Sequence, residues 1–161
     1  MKLVDMEEEL HNKIFSNQTG TFLYRSSKGT QYVMVMLDYD SSYIMMEGMQ
    51  AYQTMVDRLR EQGICPKQHI LDNKISAEMK ECIGKNGSTY QVIPPHDHCS
   101  NIAKKAIQVF KDHFISILCG VDPHFPMHLW CRLLPQMECT LNMLRQSQVV
   151  QQVSAYAHLY G

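Results

Sequence analysis

The sequence predicts an α/β domain built on a mixed sheet, and three observations predict it. Residues 31–37 (Gln-Tyr-Val-Met-Val-Met-Leu) form a continuous apolar run after the turn residues Ser26-Ser-Lys-Gly29, as a central strand covered on both faces does. Segments 49–62 and 101–118 carry apolar residues at intervals of three and four, which is the helix period. The elements follow one another as β-β-β-α-β-α-β-α-α, an order that implies strands joined by helical connections.

A first strand is expected at residues 11–15, ending at Ser16-Asn17, and the second is the run at 31–37. Asp38-Tyr-Asp-Ser41 makes a turn, from which 42–47 return as an antiparallel strand. In the helix 49–62 the stripe is Met49, Tyr52, Met55, Val56 and Leu59, with Gly63 as its C-terminal cap. Pro66 bounds a short strand at 67–71. Ser76 is then a candidate N-cap for a helix near 76–84 that turns Met79, Cys82 and Ile83 inward, and Gly87 stops it. Residues 88–93 form the next strand, ended by Pro94-Pro95 because proline cannot donate to the ladder. Ile102, Ala106, Phe110, Phe114 and Ile117 make one stripe along the helix 101–118, widened by Ala103, Ile107 and Leu118. Pro126 fits the first turn of a last long helix bearing Leu129, Trp130, Leu133, Met137, Leu141 and Leu144, which Pro135 should kink.

The 161 residues fit one domain, expected over 10–161 behind an acidic lead-in at 1–9. With 45% hydrophobic and 19% charged residues the composition is that of a globular protein, not a disordered one. A net charge of -1 excludes bulk electrostatic attraction to nucleic acid, so any such binding has to come from a local basic stripe. The six cysteines form no CxxC pair and no signal peptide precedes them, so reduced thiols in an intracellular protein are the expectation. No apolar run approaches the roughly 20 residues of a membrane span, and Trp130 and the twelve methionines read as core filling.

Three groups of residues bear on chemistry. Asp38 and Asp40 would share one face if both lay on a strand, and with Asp72 would form an acidic cluster. The favoured reading is that they cap a hairpin turn. His96, His98 and Cys99 cluster after Pro95 but lack a fourth ligand at zinc-site spacing, so loop residues without metal are expected. Lys104, Gln108 and Lys111 fall at i, i+4 and i+7, on one side of their helix.

Leu71-Asp72-Asn73, the run Gln91-Val-Ile-Pro-Pro-His-Asp-His-Cys-Ser-Asn-Ile-Ala-Lys-Lys-Ala-Ile-Gln-Val-Phe-Lys111, and the tail Asp122-Pro-His-Phe-Pro-Met-His-Leu-Trp-Cys-Arg-Leu-Leu-Pro-Gln136 with Leu141-Asn-Met-Leu-Arg145 carry a resemblance. From about His11 to its end the chain resembles the catalytic core of a copia-type retrotransposon integrase. The resemblance implies a ribonuclease H-like α/β fold: a five-stranded mixed sheet, three antiparallel strands then two parallel, flanked by helices. It also implies DNA strand transfer with Mg²⁺ or Mn²⁺, in which one metal activates the attacking oxygen and the other stabilises the leaving oxygen. That chemistry takes acids from a first strand, the end of a later strand and a helix. The matching positions here are Asn17, Asp72 and Lys104, so one acid of three remains.

An amide at Asn17 can coordinate a cation but brings no negative charge. The Lys104 ammonium would repel a metal and pair with Asp72 if the two meet, an attraction of roughly 1 to 4 kcal/mol at about 4 Å. A core without productive metal binding and without transferase activity is therefore the expectation. The resemblance further implies that Lys104, Gln108 and Lys111 face DNA phosphates. Gln108 and Cys99-Ser100 stand where relatives tend to be basic, which leaves weak DNA binding and a solvated lysine face as alternatives. Related cores dimerise through helical surfaces, so a homodimer is implied, and a nuclear location would follow for an active integrase. The zinc-binding and basic modules that flank such cores are not found in these 161 residues. The rival reading is a non-enzymatic module that keeps the fold for nucleic-acid binding or self-association.

Overall fold

The computed structural model describes residues 10–48, 52–71, 77–94 and 99–161. Five strands form one sheet: β1 (Lys13–Gln18), β2 (Val33–Asp38), β3 (Ile44–Gly48), β4 (Gln68–Leu71) and β5 (Thr89–Val92). The helices are α1 (Tyr52–Glu61), α2 (Ala77–Lys85), α3 (Cys99–Gly120), α4 (Leu134–Leu144) and α5 (Ala155–Tyr160), with a 3₁₀ helix at Met127–Arg132. The strand order is β3-β2-β1-β4-β5. β1 pairs antiparallel with β2 and β2 with β3, whereas β4 joins β1 and β5 joins β4 in parallel. Three antiparallel strands followed by two parallel ones is the sheet expected from the sequence.

Side-chain alternation along the strands divides the core into two layers. Phe15, Val33, Val35, Leu37, Ile44, Met46 and Ile70 pack against Ala106, Ile107, Phe110 and Phe114 of α3 and Leu134, Met137 and Leu141 of α4. On the opposite face Ile14, Met34, Met36, Met45 and Leu71 meet α1 through Tyr52, Met55, Val56 and Leu59, α2 through Ile83, and α5 through Ala155 and Leu159. Every residue of β2 is buried, as its unbroken apolar run requires of a strand covered on both faces. Gly63 (φ +78°) ends α1, with the Ile64 amide reaching back to the Leu59 carbonyl at 2.9 Å. Gly87 (φ +72°) follows α2 in the same way.

Two expectations are corrected, one element is added, and the favoured reading of Asp38 and Asp40 holds. β1 begins later than 11–15 and continues through Gln18, so Asn17 lies inside a strand opposite Val35. Asn12 adopts a left-handed conformation (φ +59°), which holds His11 and Asn12 in a turn, while pairing with β2 carries Ser16, Asn17 and Gln18 despite their low strand propensity. The last long helix is two elements. Pro135, with no N–H to give, sits in the first turn of α4, and the chain before it winds as the 3₁₀ helix. α5 was not expected; Ser154 caps it by accepting from the Ala157 amide at 3.1 Å. Asp38 closes β2 and Asp40 follows in the turn, so the two are not a pair on one strand face. The Asp38 carboxylate accepts from the Ser41 amide (2.9 Å) and hydroxyl (2.6 Å), the turn role that the sequence favours.

The expected helix starts at Met49 and Ser76, the acidic stretch at 1–9, and the loop residues Pro95, His96 and His98 lie outside the described residues.

Candidate functional site

Parallel pairing of β1 with β4 runs from Lys13↔Gln68 to Ser16↔Leu71 and stops there. Asn17 is thus the first residue of β1 past that ladder, and Leu71 is the residue before Asp72. Asp72 and Asn73 themselves lie outside the described residues. Asn17 is half-buried, and its side-chain oxygen accepts from the Gln18 amide at 2.7 Å. Its β2 partner Val35 belongs to the cluster beneath α3, which places Asn17 on the α3 side of the sheet.

Beside Asn17 the strand end opens into a cavity of about 460 Å³, lined also by Ser16, Thr21, Tyr32, Leu71 and Met79. No charged side chain among the described residues lines it. The Ser16 hydroxyl is buried there without a hydrogen-bond partner among them.

Lys104, Gln108 and Lys111 are all exposed on α3, as their i, i+4, i+7 spacing requires. Gln108 donates to the Asp112 carboxylate at 2.7 Å, an acid next to Lys111 in the sequence. Lys104 and Lys111 make no hydrogen bond or ion pair with another described residue, and none of the three lines the Asn17 cavity. The structure groups the three α3 residues on one helix face and places Asn17 on the sheet face that α3 covers. Among the described residues no group of three or more His, Cys, Asp or Glu could hold a metal ion. The described donors at the motif positions, a neutral amide and an ammonium, do not fit a site for two dications.

No protein-family model and no curated protein matches the sequence. Solved structures do. A chain in the cryo-EM structure of the simian T-cell lymphotropic virus intasome in complex with PP2A regulatory subunit B56 gamma superposes with a TM-score of 0.69 at 17% identity. That match covers 94% of this chain and 54% of the other, so this chain spans about half the length of its neighbour. The catalytic core domain of BIV integrase superposes with a TM-score of 0.62 at 11% identity, over 92% of this chain and 93% of that one. The fold is the ribonuclease H-like fold of integrase catalytic cores. At these identities the likeness establishes the fold and leaves the chemistry to the residues.

Two buried polar groups of this integrase-core fold were not read from the sequence. Glu138 on α4 accepts from the Tyr43 hydroxyl (3.0 Å) and the Met46 amide (2.9 Å) and pairs with Arg58. Asn142, one turn on, accepts from the Ile44 amide and donates to the Ile44 carbonyl, both at 2.8 Å. These side chains supply β3, an edge strand, with the partners that a sixth strand would give. Burial pulls the Arg58 guanidinium toward its neutral form, but the Glu138 bond and charge outweigh it and raise its pKa. Burial and the Glu138 charge push the Tyr43 phenol up. A signal existed: Glu138 and Asn142 are polar residues spaced by four beside the apolar positions Leu134, Met137 and Leu141. The second group is His69 on β4, fully buried and hydrogen-bonded to the Tyr52 hydroxyl, its pKa lowered to about 4 chiefly by burial.

Among the described residues no helix is long and apolar enough to cross a membrane.

Proposed function

We propose that this chain is an integrase catalytic-core domain of copia-type retrotransposon origin, occupying about residues 10–161, which has kept the fold and lost strand transfer. The observation that carries the reading is the side-chain chemistry at the motif positions: Asn17, already bonded to the Gln18 amide, and on α3 Lys104, unpaired among the described residues. In the family resembled, three carboxylates at these positions and at Asp72 hold Mg²⁺ or Mn²⁺. With one acid left, metal binding is weak and rests on Asp72, and no step of the transfer reaction is routed through it.

Residual DNA contact would run along Lys104, Gln108 and Lys111, each lysine adding affinity through counterion release. The Gln108–Asp112 bond and the near-neutral chain keep that contact weak. A non-enzymatic role in nucleic-acid binding or self-association is the second reading, supported by the exposed ammonium groups of Lys104 and Lys111.

The test compares the natural chain with Asn17→Asp/Lys104→Glu for Mn²⁺ binding by calorimetry and for strand transfer on a DNA duplex. Metal binding strong enough for calorimetry is expected only in the double variant. Strand transfer by the unaltered chain would overturn the proposal. Salt-sensitive DNA retention that disappears with Lys111→Ala supports the binding role.

A further inference from the structure

A second pair of basic side chains, Lys105 and Arg145, lines a groove that Lys104 and Lys111 do not line. Arg145 follows α4, half-buried, with its Nε donating to the Ser42 carbonyl at 3.2 Å. Its two terminal nitrogens have no hydrogen-bond or ion-pair partner among the described residues. Arg145 lines a groove of about 290 Å³ between α3 and the β2–β3 turn, together with Lys105 and Gln148. A second depression continues it past Ser42 and Arg145 to Gln146, Ser147 and Gln151. Along both there are two cationic side chains, amides and hydroxyls, and no carboxylate among the described residues.

The nearest described acids are engaged elsewhere. Asp38 is buried and bonded to Ser41, and Asp40 accepts from His11 and the Asn12 amide. A partly desolvated guanidinium without an anion is costly, because water replaces its lost hydration only in part. Burial alone shifts the Arg145 pKa, downward, as expected for a cation with no acid beside it. With Nε anchored to Ser42, the terminal nitrogens form a fixed fork of the kind that phosphate oxygens fit.

We propose that the Arg145–Lys105 groove is a binding site for a phosphate-type oxyanion. Arg145 supplies the anchored fork, Lys105 a second charge, and Gln148 a neutral donor. The buried side chains of Leu37 and Ala106 form an apolar floor, which reduces solvent screening from that side. The site stands on these residues alone and does not require the proposed integrase ancestry. Its ligand is either a free phosphate or a phosphodiester of a nucleic-acid strand.

The experiment titrates the whole chain with inorganic phosphate against sodium chloride at matched ionic strength, following thermal stability and amide NMR shifts. Phosphate should raise the melting temperature and move the resonances of Ser42, Arg145 and Gln148, and chloride should not. Lys105→Gln, which breaks no backbone bond, should weaken phosphate binding roughly tenfold, the usual loss for a charge-assisted contact. Arg145→Gln should abolish it, while Lys85→Gln on α2 should leave it unchanged. A single-stranded oligonucleotide is the second arm. Binding at least roughly tenfold tighter than phosphate, lost together with it in Arg145→Gln, identifies the ligand as a strand, whose further phosphates add contacts. Equal or weaker binding identifies a small oxyanion. Phosphate behaving as chloride does would overturn the proposal, and so would Lys105→Gln binding phosphate as the natural chain does.

Discussion

Acidification should destabilise this protein through His69, and the size of the effect follows from its burial. His69 is fully buried on β4, beneath α1, with the Tyr52 hydroxyl as its partner. Its pKa is lowered from 6.5 to about 4, first by burial and then by the Arg60 charge. Between those two values the unfolded chain binds a proton at this position and the folded chain does not, so stability rises with pH across that window. The contribution is fully present above pH 6.5 and is lost as pH falls toward 4. Linkage gives a loss of about 2 kcal/mol on going from about pH 7 to about pH 5, and about 3 kcal/mol by about pH 4. Asp38 opposes this, because burial raises its pKa and acid relieves its buried charge. The diagnostic quantity is therefore a difference between two proteins. In His69→Asn an amide takes the place of Nδ1 beside Tyr52, and nothing at the position titrates. Urea denaturation at about pH 7, 6 and 5 should show the natural chain losing about 2 kcal/mol more than the variant, roughly 1 M in midpoint for an m-value near 2 kcal/mol/M. Parallel pH dependences in the two proteins would refute the argument.

The α4 side chains carry the next expectations. Glu138→Ala strands the Met46 amide and leaves Arg58 only Tyr160 and the more distant Glu47, and should cost about 3 kcal/mol in urea denaturation, as when one partner of a largely buried pair is removed. Glu138→Gln should recover part of that loss. Asn142→Ala removes both side-chain bonds to Ile44 and should destabilise by about 2 kcal/mol. It also opens the β3 edge, so aggregation followed by light scattering should rise. Pro135→Ala should change stability by less than about 1 kcal/mol, because proline in a first turn displaces no bond. A gain of about 3 kcal/mol would instead mean that Pro135 interrupts a continuous helix.

Much of the fold was legible because β2, α1 and α3 are stabilised along their whole length by burial, and burial leaves a period in the sequence. The run at 31–37 and the stripe Ile102, Ala106, Phe110, Phe114 are examples, the first covered on both faces and the second on one. Boundaries set by tertiary pairing were not legible. Ser16, Asn17 and Gln18 have nothing in their own chemistry that favours a strand, and Met36, Val35 and Met34 hold them in one. α5 is six residues long, too short for a period to show. At the candidate site, spacing alone placed Lys104, Gln108 and Lys111 together. The groove at Arg145 was beyond reach, since it joins α3 to residues about 40 positions further on and to the turn at Ser42.

The side-chain supports of the fold do not pass through Asn17 or Lys104. Lys104 has no described partner and Asn17 only its neighbour's amide, whereas the sheet edge is closed by Glu138 and Asn142 and the layers by Phe15, Phe110 and Leu59. A cluster of carboxylates held for metal binding is a source of mutual repulsion when the metal is absent. Under the proposed descent, exchanging two of three acids for an amide and an ammonium would remove that repulsion and leave the packing as it was. In our reading this is how the architecture outlasts the reaction. It also makes the double variant Asn17→Asp/Lys104→Glu a clean probe. Lys104→Glu on an exposed helix face should alter stability by no more than about 0.5 kcal/mol. In Asn17→Asp the new carboxylate would be half-buried next to the Gln18 amide, which already donates to the side chain at this position. Without metal, far-UV circular dichroism like that of the natural chain and a somewhat lower urea midpoint are expected, because the variant restores the carboxylate repulsion. A midpoint that then rises with Mn²⁺ in the variant alone would place the difference between the two proteins in the site and not in the scaffold.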